Sequence, residues 1–150
     1  MIFRILILTF LSSVLCAGSA RAFESNLPPI EESQAFAEYS VRPRSDLSQL
    51  IYLIDRFKEA DVLIVYDGIT VNTRFAANLA KWFLQKNYKG QTASEWILEW
   101  CMETFPTGKP IWIKDAKGNF VSSKKILFEE LEKLQSACEN RCVDSVKEEN

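Results

Sequence analysis

The sequence contains no histidine, so no serine or cysteine in it has a histidine base and no metal can take an imidazole ligand from it. Chemistry is left to thiols, carboxylates and aromatic faces. Cys101, Cys138 and Cys142 could gather around a metal as thiolates, but Cys101 and Cys138 each fall on an apolar helical stripe, where a thiol is normally a small hydrophobe. In an oxidising compartment a disulfide is the better use: Cys101 with Cys138 first, Cys101 with Cys142 second. Cys138 and Cys142, four apart on one helical face, would meet only with strain. All three thiols reduced is the competing reading. Neither a metal nor any other cofactor is called for.

Among the carboxylates, Glu95, Glu99 and Glu103 recur every fourth residue. Such a row could hold a cation or a basic partner, yet like charges at that spacing usually mark a solvated helix face. Asp61, Asp67 and Asp115 stand at strand ends and turns, where Asp serves the backbone. As paired acids of a small hydrolase they would need a fixed separation that sequence does not give. The aromatic residues offer binding. Trp96 and Trp100 read as a core pair, whereas Trp82 flanks its helix's apolar stripe and Trp112 points away from Ile111 and Ile113. Tyr66, Asp67, Trp82 and Trp112 are the candidate binding residues, for a partner met through an exposed sheet face or its edge.

The elements that must position them form one domain. Residues 1–22 read as a cleaved signal peptide: Arg4, then an apolar run over 5–15, then Ala20-Arg21-Ala22 before Phe23. That run is shorter than the roughly 20 residues a bilayer requires. Cleavage between Ala22 and Phe23 removes Cys16, Arg4 and Arg21, leaving a formal charge more negative than the −2 of the whole chain. Such a domain is a poor nucleic-acid binder. The expected address is the periplasm, with secretion into the medium as the alternative; no membrane span is expected after cleavage.

Residues 23–45, with their Pro pair and scattered acids, read as an N-terminal arm or linker that Phe36, Tyr39 and Val41 could pin down. The globular part is expected over 46–142, followed by a charged tail over 143–150. Ser45 or Asp46 caps a helix with the stripe Leu47, Leu50, Ile51, Ile54 and Phe57. Residues 62–71 read as a hairpin turning on Asp67-Gly68. A helix opened by Asn72 or Thr73 buries Ala76, Leu79, Ala80 and Phe83 and ends at Gly90. Thr92-Ala-Ser-Glu95 is a capping box for a third helix, stopped before Pro106. Ile111-Trp-Ile113 and Phe120-Val121 form a second hairpin, and a last helix carries Leu127, Leu131, Leu134 and Cys138. The expectation is an α+β domain, four helices around a short antiparallel sheet of two β-hairpins.

The turn Asp67-Gly68, the helical segment Ala76-Ala77-Asn78-Leu79 and the turn Gly108-Lys109-Pro110-Ile111, in that order, resemble the domain-of-unknown-function family 5329, whose members are exported bacterial proteins. The likeness spans roughly residues 46–134. It departs where the family carries Cys-x-Phe-x-Arg in its first strand, here Val62-Leu-Ile-Val-Tyr66, and where a helical His is Asn78. The resemblance implies a periplasmic address and a small domain, and brings no established activity. Residues and resemblance together point to a non-catalytic module that contacts another envelope protein, with a small envelope hydrolase using acidic residues as the alternative. Its oligomeric state is not legible.

Overall fold

The computed structural model describes Phe23 and residues 25–147, with side chains as far as Asn140. The proposed leader, including Ala22, lies outside the described residues. From the arm onward the order is a 3-10 turn Ile30–Glu32, α1 Gln34–Ser40, α2 Asp46–Lys58, β1 Val62–Tyr66, β2 Ile69–Asn72, α3 Thr73–Asn87, α4 Ala93–Trp100, β3 Trp112–Asp115, β4 Phe120–Ser122 and α5 Ser123–Lys147. The class is α+β, as expected, with five α-helices among the described residues rather than four.

The additional helix is α1, in the stretch read as an arm. Ser33 starts it, its hydroxyl accepting from the Phe36 N–H at 3.1 Å, and Ala35, Phe36 and Tyr39 are buried on one side. The Pro pair upstream and the helix's seven-residue length hid that period. Ile30 helps to hold the segment; Val41, expected to do so, is exposed. The arm is thus part of the fold.

Both hairpins form, and they lie side by side. The sheet order is β2-β1-β3-β4, antiparallel throughout, with Val62 opposite Asp115 and Val65 opposite Trp112 across the central pair. Asp67 and Gly68 take φ of 49° and 82°, the positive values that a two-residue turn requires and that Gly accepts without strain. At the far turn the buried Asp115 accepts from the N–H groups of Lys117 and Asn119 and from the Asn119 amide, so its carboxylate serves the backbone.

Two apolar clusters fill the interior. The larger joins α1, α2, α3, α4 and α5 and includes Phe36, Tyr52, Leu53, Leu84, Trp96, Ile97 and Leu134. The smaller lies between the sheet and the helices, where Phe57, Val62, Ile113 and Ile126 meet and Phe23 and Leu27 pack against them. Side chains alternate across a strand and cross-strand partners share a face, so Val62, Ile64, Ile113 and Val121 turn toward the helices. Leu63, Val65, Trp112, Lys114, Phe120 and Ser122 turn away from them.

Four helix details differ from the sequence reading. On α2 the buried set is Ser48, Leu50, Tyr52, Leu53, Arg56 and Phe57, while Leu47 is exposed. The α3 cap is Asn72, whose side chain accepts from the Phe75 N–H at 2.8 Å, but Thr73, Ala77 and Leu84 form its buried edge and Leu79 is 55% exposed. That helix ends at Asn87 with Tyr88 extended, and Gly90, at φ 89°, belongs to the turn beyond it. α5 runs on to Lys147, past the boundary expected at 142, because no Gly or Pro after Gly118 stops it.

Candidate binding surface

The sheet's outer face is assembled by register. Val65 of β1 sits opposite Trp112 of β3, and Trp112 opposite Ser122 of β4. In the adjacent row Leu63 faces Lys114, which faces Phe120. Two rows of three residues therefore lie across three strands. Leu63 is 39% exposed, Trp112 40% and Phe120 54%. The Lys114 Nζ lies 5.6 Å from the Phe120 ring centroid, which places a cation over an aromatic face beside the apolar patch. The cluster that packs helices on the sheet uses Val62, Ile113 and Val121 of the opposite side, and Leu63, Trp112 and Phe120 are exposed. Contiguous exposed apolar side chains on one flat face are what a protein contact surface needs.

The other candidates stand elsewhere. Tyr66 follows the inner-face alternation but stands at the end of β1 beside the turn and is exposed. Its hydroxyl accepts from the Phe105 N–H at 3.3 Å and donates to the Phe105 carbonyl at 3.4 Å. Beside it the Asp67 carboxylate lies 2.8 Å from Lys109 Nζ. The hydrogen bond from Lys109, with a further one from Thr107, holds the Asp67 carboxyl below its ordinary range despite some desolvation. Within that loop the Thr104 and Thr107 hydroxyls are 2.5 Å apart, and the Gly108 N–H donates to the Thr104 carbonyl at 2.8 Å. The Gly-Lys-Pro loop and the first hairpin thus lock each other. Trp82 is on α3, which packs against α2 through its other side. Tyr66 and Asp67 share one place, Trp112 lies on the opposite face of the sheet, and Trp82 belongs to neither.

The acidic row is also dispersed. Glu95 closes the capping box, accepting from the Thr92 N–H at 2.9 Å, and these Thr92 contacts lower its carboxyl from the usual range. Glu99 accepts from the Gln91 amide at 3.4 Å, and Glu103 falls beyond the end of α4. Among the described residues no three His, Cys, Asp or Glu side chains converge as a metal site.

Neither bridge from Cys101 is formed. Cys101 and Cys138 are free thiols, and the helix geometry explains why. The Cys101 carbonyl accepts from the Ser123 hydroxyl at the first residue of α5. Cys138 is fifteen residues further along that helix, about 22 Å at 1.5 Å per residue. A disulfide tolerates Cα separations of no more than about 7 Å. Position 142 is another turn away along the same helix; its side chain lies outside the described residues. Burial pushes the Cys101 thiol up to about 12. Since a thiol ordinarily ionises near pH 8.5, stability supplied by the protonated thiol is complete below that pH and declines as pH rises toward 12. Iodoacetamide at pH 7.5 is expected to modify native Cys101 at least about tenfold more slowly than the unfolded chain, read by peptide mass mapping; equal rates would show that the site opens freely.

Sequence reasoning found Trp112 but missed Leu63, Val65, Lys114 and Phe120. The missing signal was the pairing of the two hairpins, because only the β1–β3 register puts these residues in neighbouring rows. No helix among the described residues is long and apolar enough to cross a membrane. No family model matches the chain, and neither a curated protein nor a solved structure is found to match it.

Proposed function

We propose that this protein is a non-catalytic binding module of the bacterial envelope, exported by its N-terminal leader, that takes an apolar segment of another envelope protein on the outer face of its sheet. The observation that carries this reading is the alignment of Leu63, Val65, Trp112 and Phe120 on the side away from the helices, with Lys114 among them. The leader pattern and the likeness to family 5329 support the address. The hydrolase alternative has less support, since Asp67 is engaged by Lys109 at a projecting turn and Asp115 by its own turn. An aromatic anchor at the centre of such a patch typically carries 2 kcal/mol or more of binding energy, about a thirtyfold change in affinity.

The test is in-cell photocrosslinking from a photoreactive residue placed at Thr70, on the same face as Val65. A discrete adduct with an envelope protein is expected, reduced at least about tenfold by Trp112→Ala while the melting midpoint changes little. Undiminished adduct formation in the Trp112→Ala protein would overturn the reading.

A further inference from the structure

Helix α3 has a second apolar stripe that the fold does not use. Its buried edge is Thr73, Ala77 and Leu84. Phe75, Leu79 and Trp82 follow the i, i+4, i+7 spacing of a helical ridge and are 58%, 55% and 55% exposed. At about 100° per residue the two stripes face in opposite directions, so the ridge points directly away from the core.

The charge around the ridge is one-sided. Residues 73–90 contain Arg74, Lys81, Lys86 and Lys89 and no Asp or Glu, in a chain whose formal charge is −2. Lys81 is paired with Asp55. Arg74, Lys86 and Lys89 are exposed and make no ion pair among the described residues, and Lys86 continues the ridge one turn beyond Trp82. A surface that combines large apolar side chains with unpaired cations is complementary to an occupant that is apolar and anionic.

Three kinds of occupant could meet this description, and the residues distinguish them. A second copy of the chain would bring its own Arg74, Lys86 and Lys89 against these, so like charges oppose that contact. A flat anionic lipid surface spreads beyond the ridge, and the neighbouring α4, whose Trp96 ring meets those of Phe83 and Tyr88, exposes Glu95 and Glu99, which disfavour it. A single helix, about 10 Å across, needs only the ridge itself. From Phe75 to Lys86 the ridge is about 16 Å long, three helical turns.

We propose that the outer ridge of α3, formed by Phe75, Leu79, Trp82 and Lys86, docks an acidic amphipathic helix of another protein, about three turns long, by apolar contact along its centre and charge pairing at its flanks. This surface is separate from the outer face of the sheet, and the two can succeed or fail independently.

The test uses the protein purified from the cell that exports it, titrated with a tryptophan-free synthetic helix that carries a leucine stripe and flanking glutamates. The same peptide with lysines for the glutamates, and vesicles containing phosphatidylglycerol, are run in parallel. Amide chemical shifts are expected to move at Phe75, Leu79, Trp82 and Lys86 with the acidic peptide only, and binding should weaken as salt rises. Leu79→Glu and, separately, Lys86→Glu should each reduce affinity at least about tenfold. Both residues are exposed, and unchanged far-ultraviolet circular dichroism would show that the variants fold. Equal binding of the lysine peptide would overturn the proposal, as would shifts confined to other surfaces. Vesicle binding without peptide binding would reassign the ridge to a lipid surface, and self-association abolished by Leu79→Glu would reassign it to a second copy.

Discussion

Glu130→Ala is expected to destabilise the protein by about 3–5 kcal/mol, because it strands a buried guanidinium. Glu130 is 2% exposed and lies on α5. It accepts from Arg56 Nε at 2.7 Å and from the Tyr52 hydroxyl at 3.0 Å, both on α2. Arg56, equally buried, also donates to the carbonyl of Pro28, and its other terminal nitrogen lies 3.7 Å from Glu59. Glu59 in turn accepts from the Ala35 N–H at 3.0 Å. Burial first, then the neighbouring Glu130 carboxylate, raises the Tyr52 phenol well above its ordinary value, so it remains a donor at any physiological pH. Glu130 therefore connects α5 to α2, and Arg56 and Glu59 of that network carry it on to the N-terminal segment. Urea denaturation of the Glu130→Ala protein measures the loss. The double variant Arg56→Met with Glu130→Leu is expected to recover much of it, because matched apolar groups leave no charge uncompensated. A single variant that lost less than about 1 kcal/mol would mean that water, or Glu59, 3.7 Å from Arg56, compensates the guanidinium readily.

The second large effect is expected from Phe36→Ala, at about 3–5 kcal/mol. Phe36 is 1% exposed and sits in the larger apolar cluster with Tyr39, Leu50 and Leu53. The Tyr39 ring meets that of Tyr52 at 5.7 Å in an edge-on arrangement, so α1 inserts two aromatic side chains against α2. Truncating one of them leaves a cavity that a short helix tied at both ends fills poorly. If residues 23–45 were an appended arm, the same substitution would cost less than about 1 kcal/mol. Thermal unfolding followed by circular dichroism separates the two: a docked α1 predicts a midpoint lower by more than about 10 °C.

These effects also mark how far local sequence signals reached. Caps and turns were legible because their chemistry is local: Ser45, Asn72, the Thr92 to Glu95 box and Asp67-Gly68 all act where they were read. Element type followed from periodicity for the same reason. The buried faces were less legible. Tyr52 and Arg56 carry polar groups that a hydrophobic pattern counts as solvent-facing, and the partner that both of them share, Glu130, is more than seventy residues away in sequence. Leu79 was assigned inward because a leucine at that spacing normally is; the small residues Thr73 and Ala77 occupy the contact with the interior instead. The cysteine pairings failed because stripe membership says which side of a helix a thiol occupies and nothing about its height along the axis. The outer face of the sheet could be anticipated at Trp112 alone, since its remaining residues depend on one strand register between the two hairpins.

That register has a consequence for synthesis. The two hairpins are local, and each can close in about 1–10 μs once its residues are free. The central pair cannot: Val62 waits for Asp115, about 50 residues later in the chain, and closing so long a loop is the slow part of building the sheet. Until then the β3-facing edge of Val62–Tyr66, with neither charge nor proline, is an open template for another chain. The nascent protein is consequently most prone to aggregate between emergence of its first hairpin and arrival of its second, an interval during which α3 and α4 are being made.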